Sequence, residues 1–400
     1  MSEVPKAEVG ILSIPRYLNY GTQLQAFALQ QAVASLGYSS EHIDYDFDHA
    51  PAANPIVRMR RLISRPWLIP SGIGRAAQRT RLRLATRRRN EAIADFRESH
   101  LRLTRRRYRT DEDLVALRTQ YDAFVVGSDQ VWNPNGHLRE TAFFLPFAPH
   151  ERRIAYAPSI GLSELDAAGG EWIARGVSGI PHLSVREDQG AEILMKATGR
   201  LAEVVVDPTM LLQPDTWSGI AGSGGSRPPY LLAYFLQDDA YARVAAGDVA
   251  RQLGLKVVSL PFTVRDLLSP STDCENIADA GPQEFLQLVR DAAFVCTDSF
   301  HGTVFSVLFR RPFFAFRRYD NRVEAATFSR MTSLLSRVGL LQRVMDDGRP
   351  RPREVGVDFT APHRALGEWR EKSTEFLRKA LASACATPAV SGDRHFGSEP

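Results

Sequence analysis

Three short stretches of this sequence place hydroxyls, carboxylates and a histidine where an apolar, β-branched run has just ended. They are Asn19-Tyr20-Gly21 after EVGILSIP, Gly127-Ser128-Asp129-Gln130 after AFVV, and Asp298-Ser299-Phe300-His301-Gly302-Thr303 after FVC. The third carries the most chemistry. Histidine is the side chain whose unperturbed charge changes near neutral pH, so His301 is a candidate general acid or base. Gly302 and Thr303 open a predicted helix, and the amides and dipole of a helix N-terminus favour a phosphate or carboxylate. The plainer role for His301 is a cap or a buried hydrogen-bonding residue; its place in a polar strand-end loop favours chemistry.

The other candidates are less specific. Gly127 allows close backbone approach, and Ser128 and Asp129 can hydrogen-bond ligand hydroxyls, although the same residues could cap a helix. Asn19 and Gly21 either shape a site or serve the left-handed turn of a strand-to-helix loop. Arg186 closes the run HLSVRE, where a planar guanidinium suits bidentate binding of carboxylate or phosphate, and Arg330 in SRMTSLL is a similar case. No GxxxxGK[ST], GxGxxG, HExxH or GxSxG pattern is present, which argues against P-loop hydrolysis, ordinary NAD-dependent redox chemistry and zinc proteolysis.

Such loops need a frame. Short apolar runs alternate with helix-length segments along the 400 residues, the pattern of a parallel sheet covered by helices on both faces. In such sheets ligands bind beyond the carboxyl ends of the strands, where all three loops fall. The fold class is α/β, with two doubly wound Rossmann-like domains facing across a cleft. The first spans residues 1–218 and carries an arginine-rich insertion at about 55–110. The second spans 219–386 and ends in an amphipathic helix, and residues 387–400 read as a disordered tail. The Gly- and Pro-rich stretch from Gln213 to Pro229 reads as the linker.

Composition narrows the class. The 44% apolar and 24% charged content is that of a globular protein. Cys274, Cys296 and Cys385 have neither disulfide-framework nor metal-site spacing, and no metal or cofactor is expected. No leader or spanning segment is legible, so a cytoplasmic location is expected. From Arg58 to Arg109 there are 17 arginines against three acids, a net +14, so the remaining chain carries −10 of the total +4. With Trp67, Leu68 and Ile69 among them, these arginines suit peripheral contact with an anionic membrane at the inner face; a solvated helical pair is the plainer reading, and nucleic acid is least favoured.

The blocks LNYGTQLQAFALQQAV, YDAFVVGSDQVWN, RIAYAPSIG, LSVREDQGAEIL, VVDPTMLL, DAAFVCTDSFHGTVFSVLFRRPFFAF and SRMTSLLSRVGL run in order from about Gly10 to Leu341. Together they resemble the polysaccharide pyruvyl transferase family. The resemblance implies a fold like that of B-type glycosyltransferases, with the site between the domains. It implies transfer of pyruvate from phosphoenolpyruvate onto two hydroxyls of one saccharide, lipid-linked in one version, to form a cyclic ketal in a cell-surface polymer. By the same carry-over His301 becomes the acid or base. Arg186, Ser299, Gly302, Thr303 and Arg330 fall to the donor, and Asn19, Gly21, Gly127, Ser128 and Asp129 to the acceptor or cleft. One departure stands out: family members tend to carry an Arg-Leu-His arrangement where this chain has Ser299-Phe300-His301, so a donor cation must come from Arg330, Arg310 or Arg311, or the donor differs. A nucleotide-sugar glycosyltransferase and a non-catalytic saccharide-binding relative are the alternative readings.

Overall fold

Apolar runs flanked by helical segments form strands buried on both faces, because helices cover both sides of a parallel sheet. The computed structural model describes residues 7–46, 72–135, 140–225, 227–263, 266–267, 271–317, 324–345 and 355–386. Trp67, Leu68 and Ile69, for which membrane contact was expected, and the tail at 387–400 lie outside them. In chain order the first half contains β1 (Glu8–Leu12), α1 (Tyr20–Ser35), β2 (Ser39–His42), α2 (Gly72–His100), α3 (Asp111–Val115), β3 (Ala123–Gly127), β4 (Arg153–Tyr156), α4 (Ala167–Val177), β5 (His182–Val185), α5 (Asp188–Thr198) and β6 (Glu203–Val204). The second half contains α6 (Pro214–Ala221), β7 (Tyr230–Tyr234), α7 (Ala240–Leu253), β8 (Lys256–Ser259), β9 (Glu275–Asn276), α8 (Pro282–Asp291), β10 (Phe294–Thr297), α9 (Phe300–Leu308), β11 (Phe313–Phe316), α10 (Glu324–Arg337), β12 (Val344–Met345) and α11 (Thr360–Ala386).

The strands make two six-stranded sheets, ordered β2-β1-β3-β4-β5-β6 and β12-β11-β10-β7-β8-β9. Every recorded pairing is parallel. In the first sheet the chain reverses its direction of winding between β1 and β3; in the second it does so between β7 and β10. These are topological switch points, where adjacent loops part and leave a crevice. The three polar loops found in the sequence follow β1, β3 and β10, so each lies at a switch point.

Three parts of the chain differ from expectation. The Gly- and Pro-rich stretch after Gln213 is not an open linker. Pro214 starts α6, and its fully buried Trp217 packs on Phe27 of the first unit and Phe305 of the second, at 5.8 and 5.1 Å between ring centroids. A tryptophan on one face of two turns gave that short helix its reason to form. The terminal helix α11 follows the second sheet in sequence but packs Phe376, Leu377, Ala380, Leu381 and Ala384 against Val9, Ile11 and Val125 of the first. The described part of the insertion is not merely solvated: Ile93 and Phe96 of α2 join the core that α1 shares with the second sheet, with Arg89 and Arg97 buried beside them.

Candidate active site

The starts of α1 and α9 are built by caps. Asn19 is extended and its Oδ1 accepts the Gly21 amide at 2.9 Å, which starts α1 directly after the β1 loop. Ser299 does the same for α9: its Oγ accepts the Gly302 amide at 3.3 Å. These two helix starts face each other across the junction of the two units. Between them lies a cleft of about 900 Å³ whose wall includes Asn19, Thr22, Asp129, Ser299, His301 and Arg330.

His301 is 8% exposed on that wall. One edge of its ring lies against Gly21, so close that a Cβ built there would stand 1.9 Å from His301 Nδ1. The other nitrogen, Nε2, is buried without a hydrogen-bond partner and lies 3.7 Å from Oδ2 of Asp207, an ion-pair distance. Asp207 is fully buried just past β6. Its Oδ2 accepts Arg186 Nη1 at 2.7 Å and Ser128 Oγ at 3.1 Å, while Oδ1 accepts the Thr209 amide and hydroxyl at 3.0 and 2.6 Å. Burial works to raise its pKa, but His301, Arg186 and Thr209 outweigh it and hold the carboxyl well below its ordinary range. A fixed negative charge therefore faces the His301 imidazole.

Asp129 supplies the second acid. Ser128 and Asp129 take left-handed backbone angles, φ 24° and 69°, which turn the chain sharply off β3 and aim Asp129 into the cleft. Thr22 Oγ1 donates to its Oδ2 at 2.8 Å. Burial again opposes ionisation, and Arg186, His301, Arg330 and the Thr22 hydroxyl again overcome it, so the Asp129 pKa is lowered. Asp129, His301 and the Thr22 hydroxyl thus line the cleft, with the buried Asp207 carboxylate behind His301.

The sequence candidates separate into layers. Asn19, Asp129, Ser299, His301 and Arg330 reach the cleft. Arg186, expected on the donor, lies one layer behind, its side chain 1% exposed, bound to Asp207 and 3.9 Å from Asp129, with its guanidinium carbon 4.6 Å from the Phe300 ring centroid. Burial works to lower its pKa and these acids raise it, so it stays charged as the counter-ion of the two carboxylates. Ser128 is likewise spent on Asp207. Gly127 holds β3 against α1, where a Cβ would meet Leu29 Cδ2 at 2.4 Å. Gly302 and Thr303 do not face the cleft: a Cβ at 302 would meet Thr297 Oγ1 at 2.5 Å, and the Thr303 hydroxyl donates to Ser299 O at 3.1 Å. Asp298 binds the amides of Leu236 and Gln237 at 2.7 and 3.1 Å and so fixes the loop after β7.

Of the three cations offered in place of an arginine at 299, Arg330 is the one on the cleft wall. It is 7% exposed and lies 5.8 Å from the Phe300 ring centroid. Arg310 and Arg311 follow the far end of α9, about 12 Å along its axis from His301. Sequence reasoning missed Asp207, Thr22, Arg16, Arg89 and Arg107. Asp207 had a signal, a carboxylate directly after the apolar run VVV. Among the described residues no group of three or more His, Cys, Asp or Glu is placed to hold a metal ion, and no helix is long and apolar enough to cross a membrane.

The model of the polysaccharide pyruvyl transferase family matches residues 19–321. No curated protein matches the chain. Among solved structures, UDP-N-acetylglucosamine 2-epimerase from Rickettsia bellii is similar with a TM-score of 0.52 at 8% identity, covering 94% of this chain and 97% of its own. The glycosyltransferase SnogD from Streptomyces nogalater gives a TM-score of 0.41 at 12% identity, covering 95% and 98%. The architecture is accordingly α/β, of the B-type glycosyltransferase class: two parallel sheets facing across a cleft.

Proposed function

Since the matched region makes this chain a member of the polysaccharide pyruvyl transferase family, we propose that it moves pyruvate from phosphoenolpyruvate onto two hydroxyls of one sugar, closing a cyclic ketal. A transferase of this kind needs a saccharide acceptor, and phosphoenolpyruvate is a substrate, not a resident cofactor. The observation that carries the reading is His301, backed by the buried Asp207 anion and set beside Arg330 in one cleft.

Each group has one role in the steps. His301 as imidazolium gives its proton to the enol methylene, which becomes the methyl group. The neighbouring carbon, now oxocarbenium-like, is attacked by the first sugar hydroxyl, whose proton passes to a base. Asp129 and Thr22 hydrogen-bond the acceptor hydroxyls. Phosphate then leaves, and the second hydroxyl closes the ring and gives up its proton, so that one proton ends on the methyl group and one on phosphate. Arg330 balances the donor's negative charge, the role of an arginine at 299 in the family pattern. Preorganised charge of this kind lowers the barrier where charge develops.

The test is phosphate release from phosphoenolpyruvate with a panel of free, nucleotide-linked and lipid-linked sugars. Release by the wild type that falls by 100-fold or more, about the contribution of a general acid, in a folded His301→Ala variant supports the reading. Tight binding of a nucleotide sugar with no affinity for phosphoenolpyruvate would replace it with glycosyl transfer.

A further inference from the structure

A three-carbon phosphate ester occupies a small part of a cleft of about 900 Å³. The arginine-rich insertion also contributes to its wall, through Arg89, Asn90 and Arg107, with Arg16 from the β1 loop. Two of these cations have counter-ions. Arg16 is 2.5 Å from Asp44, and Arg107 is 2.8 Å from Asp46. Arg89 differs. It is 6% exposed, its Nη1 donates to the backbone oxygen of Pro261 at 3.0 Å, its Nε has no hydrogen-bond partner, and its guanidinium carbon lies 4.7 Å from the Phe262 ring centroid. Among the described residues no carboxylate pairs with it.

A buried guanidinium without an anion is costly, because desolvation is not repaid by a counter-ion. Stacking on Phe262 and one carbonyl hold Arg89 in place without a carboxylate partner among the described residues. A rigid, planar fork of this kind matches the oxygens of a phosphoryl group. Tyr17, Tyr45 and Phe262 also line the cleft and offer aromatic surface to a sugar ring.

We propose that the insertion builds an anion subsite in the cleft, centred on Arg89, with Asn90 and Arg16 lining the same cleft, which takes a phosphoryl group carried by the acceptor sugar. That the anion belongs to an acceptor rests on the pyruvyl-transfer reading; that the subsite binds phosphoryl oxygens does not. The subsite also gives the insertion a role in the site, because it delivers a cation to the cleft.

The experiment is isothermal titration of the full chain, without donor, using inorganic pyrophosphate, uridine diphosphate and geranyl diphosphate as probes. Expected is binding of pyrophosphate that weakens about ten- to hundredfold in Arg89→Gln, in part in Arg89→Lys, and little in Arg330→Gln. Those factors correspond to loss of a charge-assisted hydrogen-bonding fork. Tighter binding of the uridine compound than of pyrophosphate identifies a nucleotide source, and tighter binding of the geranyl compound identifies a lipid source. The proposal is overturned if wild-type protein binds none of the probes, or if Arg330→Gln abolishes binding while Arg89→Gln keeps it. Failure of phosphate release from phosphoenolpyruvate with every acceptor would remove the pyruvyl reading and leave this titration untouched.

Discussion

Gly21 is the slot into which the His301 ring fits: a Cβ on residue 21 would stand 1.9 Å from Nδ1, and 2.4 to 2.5 Å from the neighbouring ring carbons. The first unit, through the start of α1, thereby fixes a side chain that belongs to the second. Alanine is the better helix former, so Gly21→Ala would gain stability if only local propensity counted. Crowding is expected to win. The variant should lose about 1–3 kcal/mol in urea unfolding and about 100-fold in kcat, since a displacement near 1 Å is enough for that. Full activity with raised stability would show that the ring does not rest there during turnover.

Arg330 is expected to replace the family's arginine at the donor. Arg330→Gln should raise the KM for phosphoenolpyruvate about ten- to hundredfold, as loss of a charge-assisted contact does, and Arg330→Lys should recover part of it. Steady-state phosphate release against donor concentration measures this. An unchanged donor KM would assign the missing cation elsewhere and return Ser299 to prominence.

The loops were legible because three polar segments interrupt apolar runs, and a parallel sheet sends such segments to one edge. Asn19, Asp129 and His301 therefore line one cleft. What the sequence hid were the partners. Asp207 and Arg186 are 21 residues apart along the chain and 2.7 Å apart in space, and nothing local signals that Arg186 spends its charge on Asp207 instead of a ligand. Arg89 could not be told from its neighbours Arg87 and Arg88 by type or spacing; burial and packing on Phe262 separate it. The helix at Pro214–Ala221 was hidden for another reason, because its Pro, Gly and Ser content reads as a linker until Trp217 finds two cores to fill.

That helix makes a prediction of its own. Trp217 is fully buried, donates Nε1 to Thr209 O at 2.9 Å and touches aromatic rings of both units. Trp217→Ala should cost about 3–5 kcal/mol in urea unfolding, the range for deleting a large buried aromatic. Thr209 also holds Asp207, so activity should fall with stability in this variant. A loss under about 1 kcal/mol, well below that range, would show that the junction repacks.

Acid sensitivity is expected to come in part from His42, fully buried on β2 away from the cleft. Its Nδ1 lies 3.0 Å from Ser13 Oγ and its Nε2 3.1 Å from Ala26 O. Burial lowers its pKa from 6.5 to about 4, against the opposing effect of the Ala26 carbonyl. The folded chain thus holds this ring neutral while the unfolded chain protonates it below pH 6.5. Unfolding is therefore favoured as pH falls: the contribution is intact above pH 6.5, is lost between 6.5 and about 4, and changes no further below. The full loss is about 3 kcal/mol. Half-buried His182 and His363 are shifted down by burial as well, so the wild-type curve sums several groups. His42→Gln keeps a side chain able to bond both partners and removes the titration. Urea unfolding at about pH 7 and about pH 4 should show a pH difference smaller by about 3 kcal/mol in that variant. An equal difference in both proteins would mean that the folded chain accepts the proton on His42 without penalty.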